Sequence, residues 1–265
     1  MLKRLLNKIR TRKVESLQVT RGQSTFKTYE EGQVSGDFCY TSKEVSRLVR
    51  WKTENNFQSS KPLDHYITQA ILAIMTVYDG KALNVIEIGG AFGDTFLKVN
   101  SKIGDLINSW TIVETTCIVE ESFSMNKDKK LSFQEEFNVE GIESPDLIVI
   151  QGTLQYIKNP IEFLSQITHN FTGHLYLART PLSVNVEEPF LSNDVSNLLD
   201  HGPGNAPKNI ENRQFISTVY HLPMKLIEQT LKGEEIFSFN ESDILTREFD
   251  FGILKYQWKG YLVKF

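Results

Sequence analysis

The chain has 265 residues, enough for one large α/β domain with appendages. A hydrophobic share of 40% supports a sizeable core, and a formal net charge of −4 gives no overall basic field of the kind nucleic-acid binders carry. Cys39 and Cys117 stand far apart and outside any CxxC spacing, so neither a disulfide framework nor a cysteine metal site is expected, and a reducing cytoplasm fits best.

At the N-terminus, Leu2, Leu5, Leu6 and Ile9 recur at helical spacing among Lys3, Arg4, Lys8, Arg10, Arg12 and Lys13. Such a segment reads as a short helix packed on the domain or a solvated start. Its other reading is a peripheral contact of residues 1–13 with an anionic membrane surface. Residues 1–60 are polar and irregular, with Gly32, Gly36 and the Ser59-Ser60-Lys61-Pro62 break, and read as a helical or irregular appendage to a domain over 61–265. No run reaches the roughly 18 apolar residues of a membrane span.

From Leu63 the pattern sharpens. Ile67, Ala70, Ile71, Ile74, Met75 and Tyr78 recur as one buried helix face, stopped by Asp79-Gly80. Leu83–Ile88 follows as a strand, then a glycine cluster, then a helix over 94–107. Trp110–Glu114 and Leu131–Phe133 read as the second and third strands. Asp146–Gln151, almost wholly apolar, reads as the central strand of a parallel sheet. Asn159, Pro160 and Glu162 make a capping-box start for a helix burying Phe163, Leu164, Ile167 and Phe171, and His174–Arg179 makes a fifth strand.

Residues 183–214 are rich in Asn, Pro and Gly and read as a lid or acceptor loop. A helix over Pro223–Leu231 and two strands, Glu234–Phe239 and Phe249–Phe265, close the chain, the strands as an antiparallel pair. Alternating strands and helices predict an α/β, Rossmann-like, doubly wound and mostly parallel sheet.

The turn Glu87-Ile88-Gly89-Gly90-Ala91-Phe92-Gly93 carries the strongest chemistry. A dinucleotide fingerprint read from Gly89 requires glycines at 91 and 94, where the chain has Ala91 and Asp94. Asp94 would also set a negative charge where a pyrophosphate sits. Glu87, Gly89 and Gly93 instead match an acid ending the first strand with glycines two and six residues on, the pattern E/D-x-G-x-G-x-G. Ala91 departs at the middle glycine, next to Gly90. Glu114, ending the second strand, suits the two hydroxyls of a ribose. Gln151-Gly152 ends the central strand on the same edge.

These residues resemble the first motif of class I S-adenosylmethionine-dependent methyltransferases. The strings Val85–Gly90, Trp110–Glu114, Gly152-Thr153-Leu154-Gln155-Tyr156-Ile157-Lys158-Asn159-Pro160 and Arg179-Thr180-Pro181, flanked by Gly36-Asp37-Phe38 and Trp258-Lys259-Gly260, resemble a family of bacterial methyltransferases. Its members are often encoded among surface-polysaccharide biosynthesis genes. The resemblance covers most of 30–265. It implies a class I fold with an antiparallel C-terminal strand pair and S-adenosylmethionine as cofactor. Glu87, Gly89, Gly90, Gly93, Glu114 and Gln151 are then the cofactor-binding candidates.

Methyl transfer to oxygen or nitrogen requires in-line positioning and a group to take the acceptor's proton. His201, in the Asn/Pro/Gly-rich segment, and His221, at the start of the late helix, are the candidates; for each the plainer reading is an exposed loop histidine. His169 and His174 read as surface residues. Arg179 suits an acidic acceptor or an ordinary ion pair, and Tyr156 suits a pocket wall or packing. Tyr256, Trp258, Tyr261 and Phe265 read as sheet packing. No metal-ligand spacing, G-x-S-x-G, H-E-x-x-H or Walker pattern occurs. The expectation is an enzyme that O-methylates a sugar or other small polar acceptor. A Rossmann-fold binding or scaffold protein without catalysis is the alternative, and an NAD-dependent sugar enzyme is disfavoured by Ala91 and Asp94.

Overall fold

The computed structural model describes residues 25–33, 40–56, 64–125, 128–137, 145–249 and 252–265. The basic segment 1–13, Gly36-Asp37-Phe38, Cys39 and the break at 59–62 lie outside the described residues.

In chain order the strands are β1 (Thr25–Phe26), β2 (Leu83–Ile88), β3 (Ile107–Val113), β4 (Leu131–Gln134), β5 (Leu147–Gln151), β6 (His174–Ser183), β7 (Phe190–Asn197), β8 (Gln214–Pro223), β9 (Glu234–Asn240), β10 (Leu245–Phe249) and β11 (Gly252–Lys264). The helices are α1 (Tyr29–Gln33), α2 (Lys43–Asn56), α3 (His65–Val77), α4 (Asp94–Ile103), α5 (Thr116–Ser122), α6 (Pro160–Asn170) and α7 (Met224–Thr230).

The main sheet runs β4-β3-β2-β5-β6-β11-β9. Strands β4, β3, β2, β5 and β6 pair in parallel, and β11 lies antiparallel between β6 and β9. This is a Rossmann-like, mostly parallel sheet, with the antiparallel C-terminal pair formed by β9 and β11. Strand order reverses between β2 and β5, the switch point at which open α/β sheets leave a crevice at their carboxyl ends. Every residue of β5 is buried, as its apolar run requires of a central strand.

Each face of the sheet has its own core. Ile67, Ala70, Ala73, Ile74 and Val77 of α3 and Phe96 and Val99 of α4 pack on one side. Leu164 and Ile167 of α6 and Ile227 of α7 pack on the other. The buried stripe of α3 is rotated from the expected face: Ala73 and Val77 belong to it, while Ile71 is half-buried, Met75 is exposed and Tyr78 falls just beyond the helix end.

Other local features differ from the sequence reading as well. Helix α4 ends at Ile103 and a 3-10 turn over Gly104–Leu106 takes the chain into β3. Asn159 starts α6 in a left-handed conformation (φ 53°) without a side-chain cap; its amide donates instead to the Glu162 carboxylate at 3.4 Å. The segment 183–214 is not a plain loop. Phe190–Asn197 is a strand, antiparallel to Gln214–Pro223, followed by a 3-10 turn over Leu198–Asp200. The sequence hides β7 because its middle is Ser-Asn-Asp; strand geometry there comes from pairing with β8 and β1, not from propensity.

β8 joins the main sheet beside the upper half of β6, through Leu182↔Leu222 and Ser183↔Pro223, so β1, β7 and β8 extend β6 beyond the carboxyl edge of the parallel strands. No helix among the described residues is long and apolar enough to cross a membrane.

Candidate functional site

A cleft of about 630 Å³ opens at the switch point. Its floor is the β2–α4 turn. Gly89 is left-handed (φ 73°) and a Cβ there would strike the Thr153 side chain, so the position admits only glycine. A Cβ on Gly90 would come 2.6 Å from Glu87 Oε2, so a side chain would displace that carboxylate. Gly93 precedes α4 with φ 85°. Ala91, at the motif's usual middle glycine, is also left-handed (φ 47°), which explains why glycine belongs there and means this chain carries strain.

Glu87 lies under the turn, fully buried, and accepts a hydrogen bond from Trp110 Nε1 at 3.0 Å. Burial pushes its carboxyl up to about 7, against the pull of hydrogen bonds from Thr95 and Trp110. Glu114, just after β3, accepts the Ala91 N–H at 3.0 Å on Oε1 and the Thr115 N–H at 2.8 Å on Oε2. Burial raises its pKa too, while those two N–H groups favour its charge. Gln151 lines the cleft at the end of β5, accepting from Thr95 Oγ1 at 3.4 Å and donating to the Tyr66 carbonyl at 3.3 Å. Thus Glu87, Gly89, Gly90, Glu114 and Gln151 all line one cleft, and Gly93 shapes its turn.

The three candidates for the acceptor side are placed differently. Arg179 lines the cleft with its guanidinium carbon 4.5 Å from the Tyr66 ring centroid. His201 lines it as well, but neither ring nitrogen is free. Nδ1 shares a hydrogen bond with the Tyr40 hydroxyl at 3.1 Å, and Nε2 one with Ser196 Oγ at 2.9 Å. Burial pushes this imidazole down to about 4, so it is neutral at neutral pH and can pass a proton only through a hydroxyl neighbour.

His221 is not at a helix start and does not line the cleft. It sits inside β8, buried, stacked on Phe190 at 4.4 Å, with Nε2 2.6 Å from Ser192 Oγ and Nδ1 bonded to the Tyr256 hydroxyl. Of the other histidines, His169 is exposed and His174 half-buried.

Sequence reading missed the aromatic roof. Tyr29 of α1 and Tyr40 before α2, both in the supposed appendage, line the cleft together with Tyr156. Tyr29 donates its hydroxyl to the Tyr156 carbonyl at 2.7 Å, and the Tyr40 and Tyr156 rings meet edge to face at 5.2 Å. Isolated tyrosines in a polar stretch carry no periodic signal; their chance to be found was only that they are aromatic where little else is apolar.

The turn bearing Asp200 and His201 is pinned to α2. The buried Lys52 ammonium donates to the Leu199 and His201 carbonyls at 2.9 and 2.7 Å, and Asn56 donates to the Pro203 and Asn205 carbonyls. Among the described residues no His, Cys, Asp and Glu cluster could hold a metal ion.

No family model matches the sequence, and no curated protein matches it. Among solved structures the chain is similar to the N-terminal domain of EvdMO1, studied in the presence of SAH and D-fucose: 14% identity over 83% of this chain and 96% of that one, TM-score 0.47. It is similar to CalS10, an amino pentose methyltransferase from Micromonospora echinaspora, at 8% identity over 78% and 94%, TM-score 0.44. A third is the magnesium protoporphyrin IX methyltransferase ChlM from Synechocystis PCC 6803, at 9% identity over 82% and 96%, TM-score 0.42.

Proposed function

We propose that the chain is an S-adenosylmethionine-dependent methyltransferase acting on an oxygen of a sugar or another small polar acceptor, in keeping with the resemblance to a methyltransferase family often encoded among surface-polysaccharide biosynthesis genes and with a cytoplasmic setting. The observation that carries this reading is Glu114. Its carboxylate ends the second strand beside the glycine turn, and each oxygen is oriented by one backbone N–H while keeping lone pairs for a ligand. Two vicinal ribose hydroxyls match that carboxylate.

The cleft wall supports the same cofactor. Glu87, Asp94, Glu114, Glu135 and Asp200 line it, and Arg179 is the one Arg or Lys among the described lining residues. A wall of this sign favours a sulfonium cation and disfavours a dinucleotide pyrophosphate. When bound, the cofactor supplies an electrophilic methyl group on its sulfonium. The chain's own residues hold and orient what receives it. The faces and hydroxyls of Tyr29, Tyr40 and Tyr156 suit a small hydroxylated ring. The proton released by an acceptor hydroxyl has a path through the Tyr40 phenol to the neutral imidazole of His201.

The test is a thermal-shift screen with S-adenosylhomocysteine, S-adenosylmethionine, NAD and NADP, followed by transfer of a labelled methyl group to a saccharide panel. A ligand at about 100 times its Kd stabilises by roughly 2.7 kcal/mol. Stabilisation by NAD or NADP without stabilisation by the adenosyl ligands overturns the reading. The second reading, a binding or scaffold protein, draws on the strained Ala91 in the motif. Cofactor binding without transfer to any acceptor favours it.

A further inference from the structure

We propose that Arg179 is a carboxylate-binding residue of the cleft, aimed there by a left-handed backbone that Glu241 holds in place. The inference rests on the cofactor reading for one of its two ligand sources.

The first observation is the backbone. Arg179 has φ 54° inside β6, a left-handed conformation unfavourable for an L-residue with a side chain. The β6–β11 register shifts between Lys259 and Tyr261, leaving Ala178 and Arg179 opposite Gly260 as a bulge. Bulges bend a strand and re-aim a side chain.

The second observation is what holds the bulge. The Arg179 N–H donates to Glu241 Oε2 at 2.6 Å. Glu241 directly follows β9, anchored by its own N–H to the Trp258 carbonyl at 2.7 Å. Burial raises its pKa, and its Oε1 is buried without a hydrogen-bond partner among the described residues. A carboxylate so placed costs stability, and the one hydrogen bond its side chain makes among those residues goes to the backbone of Arg179.

The third is where the guanidinium goes. Its carbon lies over the Tyr66 ring, 4.5 Å from the centroid, and 3.8 Å from the point a Cβ on Gly152 would occupy. Glu241 attracts the guanidinium electrostatically without forming an ion pair with it, and the other charged residues lining the cleft are acidic. The cation–π contact anchors the guanidinium in the cleft, and its fork of N–H donors suits a bidentate acceptor, for which a carboxylate is the matching shape. Two ligands bring one to this corner: the amino-acid tail of the cofactor, or an acceptor that is a sugar acid. Gln151, which contacts both Tyr66 and Thr95 at the start of α4, sets the corner beside the glycine turn and favours the cofactor tail.

Calorimetric titration of wild type, Arg179→Ala, Glu241→Ala and Glu241→Gln separates the sources. The ligands are S-adenosylhomocysteine, 5′-methylthioadenosine (the same nucleoside and thioether without the tail), D-glucuronate and D-glucose. Arg179→Ala is expected to weaken S-adenosylhomocysteine by about tenfold or more and to leave methylthioadenosine unchanged. Retained S-adenosylhomocysteine affinity with lost preference for glucuronate over glucose assigns the site to the acceptor. Glu241→Ala should follow Arg179→Ala in either case, and Glu241→Gln, whose carbonyl still accepts the N–H, should follow wild type; a merely structural role would weaken both nucleosides together. Wild-type protein that binds neither nucleoside ends the cofactor reading, and glucuronate alone then decides the carboxylate site. The proposal is overturned if Arg179→Ala weakens both nucleosides alike, or if it binds every carboxylate probe as wild type does, or if wild type binds none of them.

Discussion

The Ala91 N–H donates to the Glu114 carboxylate at 3.0 Å, so the residue under most backbone strain in the β2–α4 turn is tied to the acid that ends the neighbouring strand. Glu114 therefore has two tasks, one toward the turn and one toward the cleft. Glu114→Ala is expected to weaken S-adenosylhomocysteine by at least about tenfold, since hydrogen bonds to a charged group contribute roughly 1.5–3 kcal/mol. It should also lower the melting temperature, because the Ala91 and Thr115 N–H groups lose their acceptor. Glu114→Gln should be intermediate in both. Calorimetry with circular-dichroism melts separates the two effects; wild-type affinity in a folded Glu114→Ala protein would remove the ribose assignment.

Ala91→Gly tests the strain itself. Relief of the left-handed penalty, about 1–2 kcal/mol, is partly offset by the greater freedom of glycine in the unfolded chain, about 0.4–1 kcal/mol. The expected outcome is a small gain in stability with cofactor affinity unchanged. Ala91→Val, a β-branched residue at positive φ, should destabilise clearly. A destabilised Ala91→Gly protein would show that the methyl group packs, against the cluster around Phe92, more than the backbone strains.

Glu87 gives a pH signature. Its carboxyl is pushed up to about 7, from 4.5, by burial, so the folded chain holds that proton more tightly than the unfolded one. Its contribution to stability therefore falls as pH rises from about 4.5 to 7 and is level above that. His201 and His221, both pushed down to about 4 by burial, act in the opposite sense, adding stability as pH rises from 4 to about 6.5. The wild-type curve mixes these, and a difference isolates one. Glu87→Gln should gain on wild type by on the order of 2–3 kcal/mol between pH 5 and 7.5 in denaturant melts. A pH-independent difference would place the titration elsewhere.

Much of the sheet was legible. The apolar runs of β2, β3 and β5 are bounded by glycine, acid and turn residues, so local chemistry and global position agree. Glu87, Gly89, Glu114 and Gln151 reach the same cleft because each sits at or next to the end of such a run. The upper structure was not legible. Strand β7 depends on β8, whose first residue lies 17 positions beyond β7's last, and its polar middle mimics a loop. His221 looked accessible because β8 itself went unseen. Met75 belongs to the expected helix face and not to the buried one because an apolar stripe this broad leaves open which side of it turns to the sheet; Ala73 and Val77 face inward instead.

The buried position of His221 leads to a simple separation. Its two ring nitrogens are engaged by Ser192 and Tyr256. His221→Phe should cost about 1–3 kcal/mol by leaving those hydroxyls unsatisfied, with S-adenosylhomocysteine affinity and transfer rate per folded molecule retained. A stable variant that has lost transfer would return His221 to the chemistry.

The carboxylates that line the cleft also bear on turnover. S-adenosylmethionine carries one net positive charge, and its demethylated product carries none. On the proposed function, a wall of Asp94, Glu114, Glu135 and Asp200 would draw the reactant in through its field and let that attraction lapse once the methyl group has left. The same side chains would then serve both recruitment and discharge, and the advantage of reactant over product should shrink as added salt screens them.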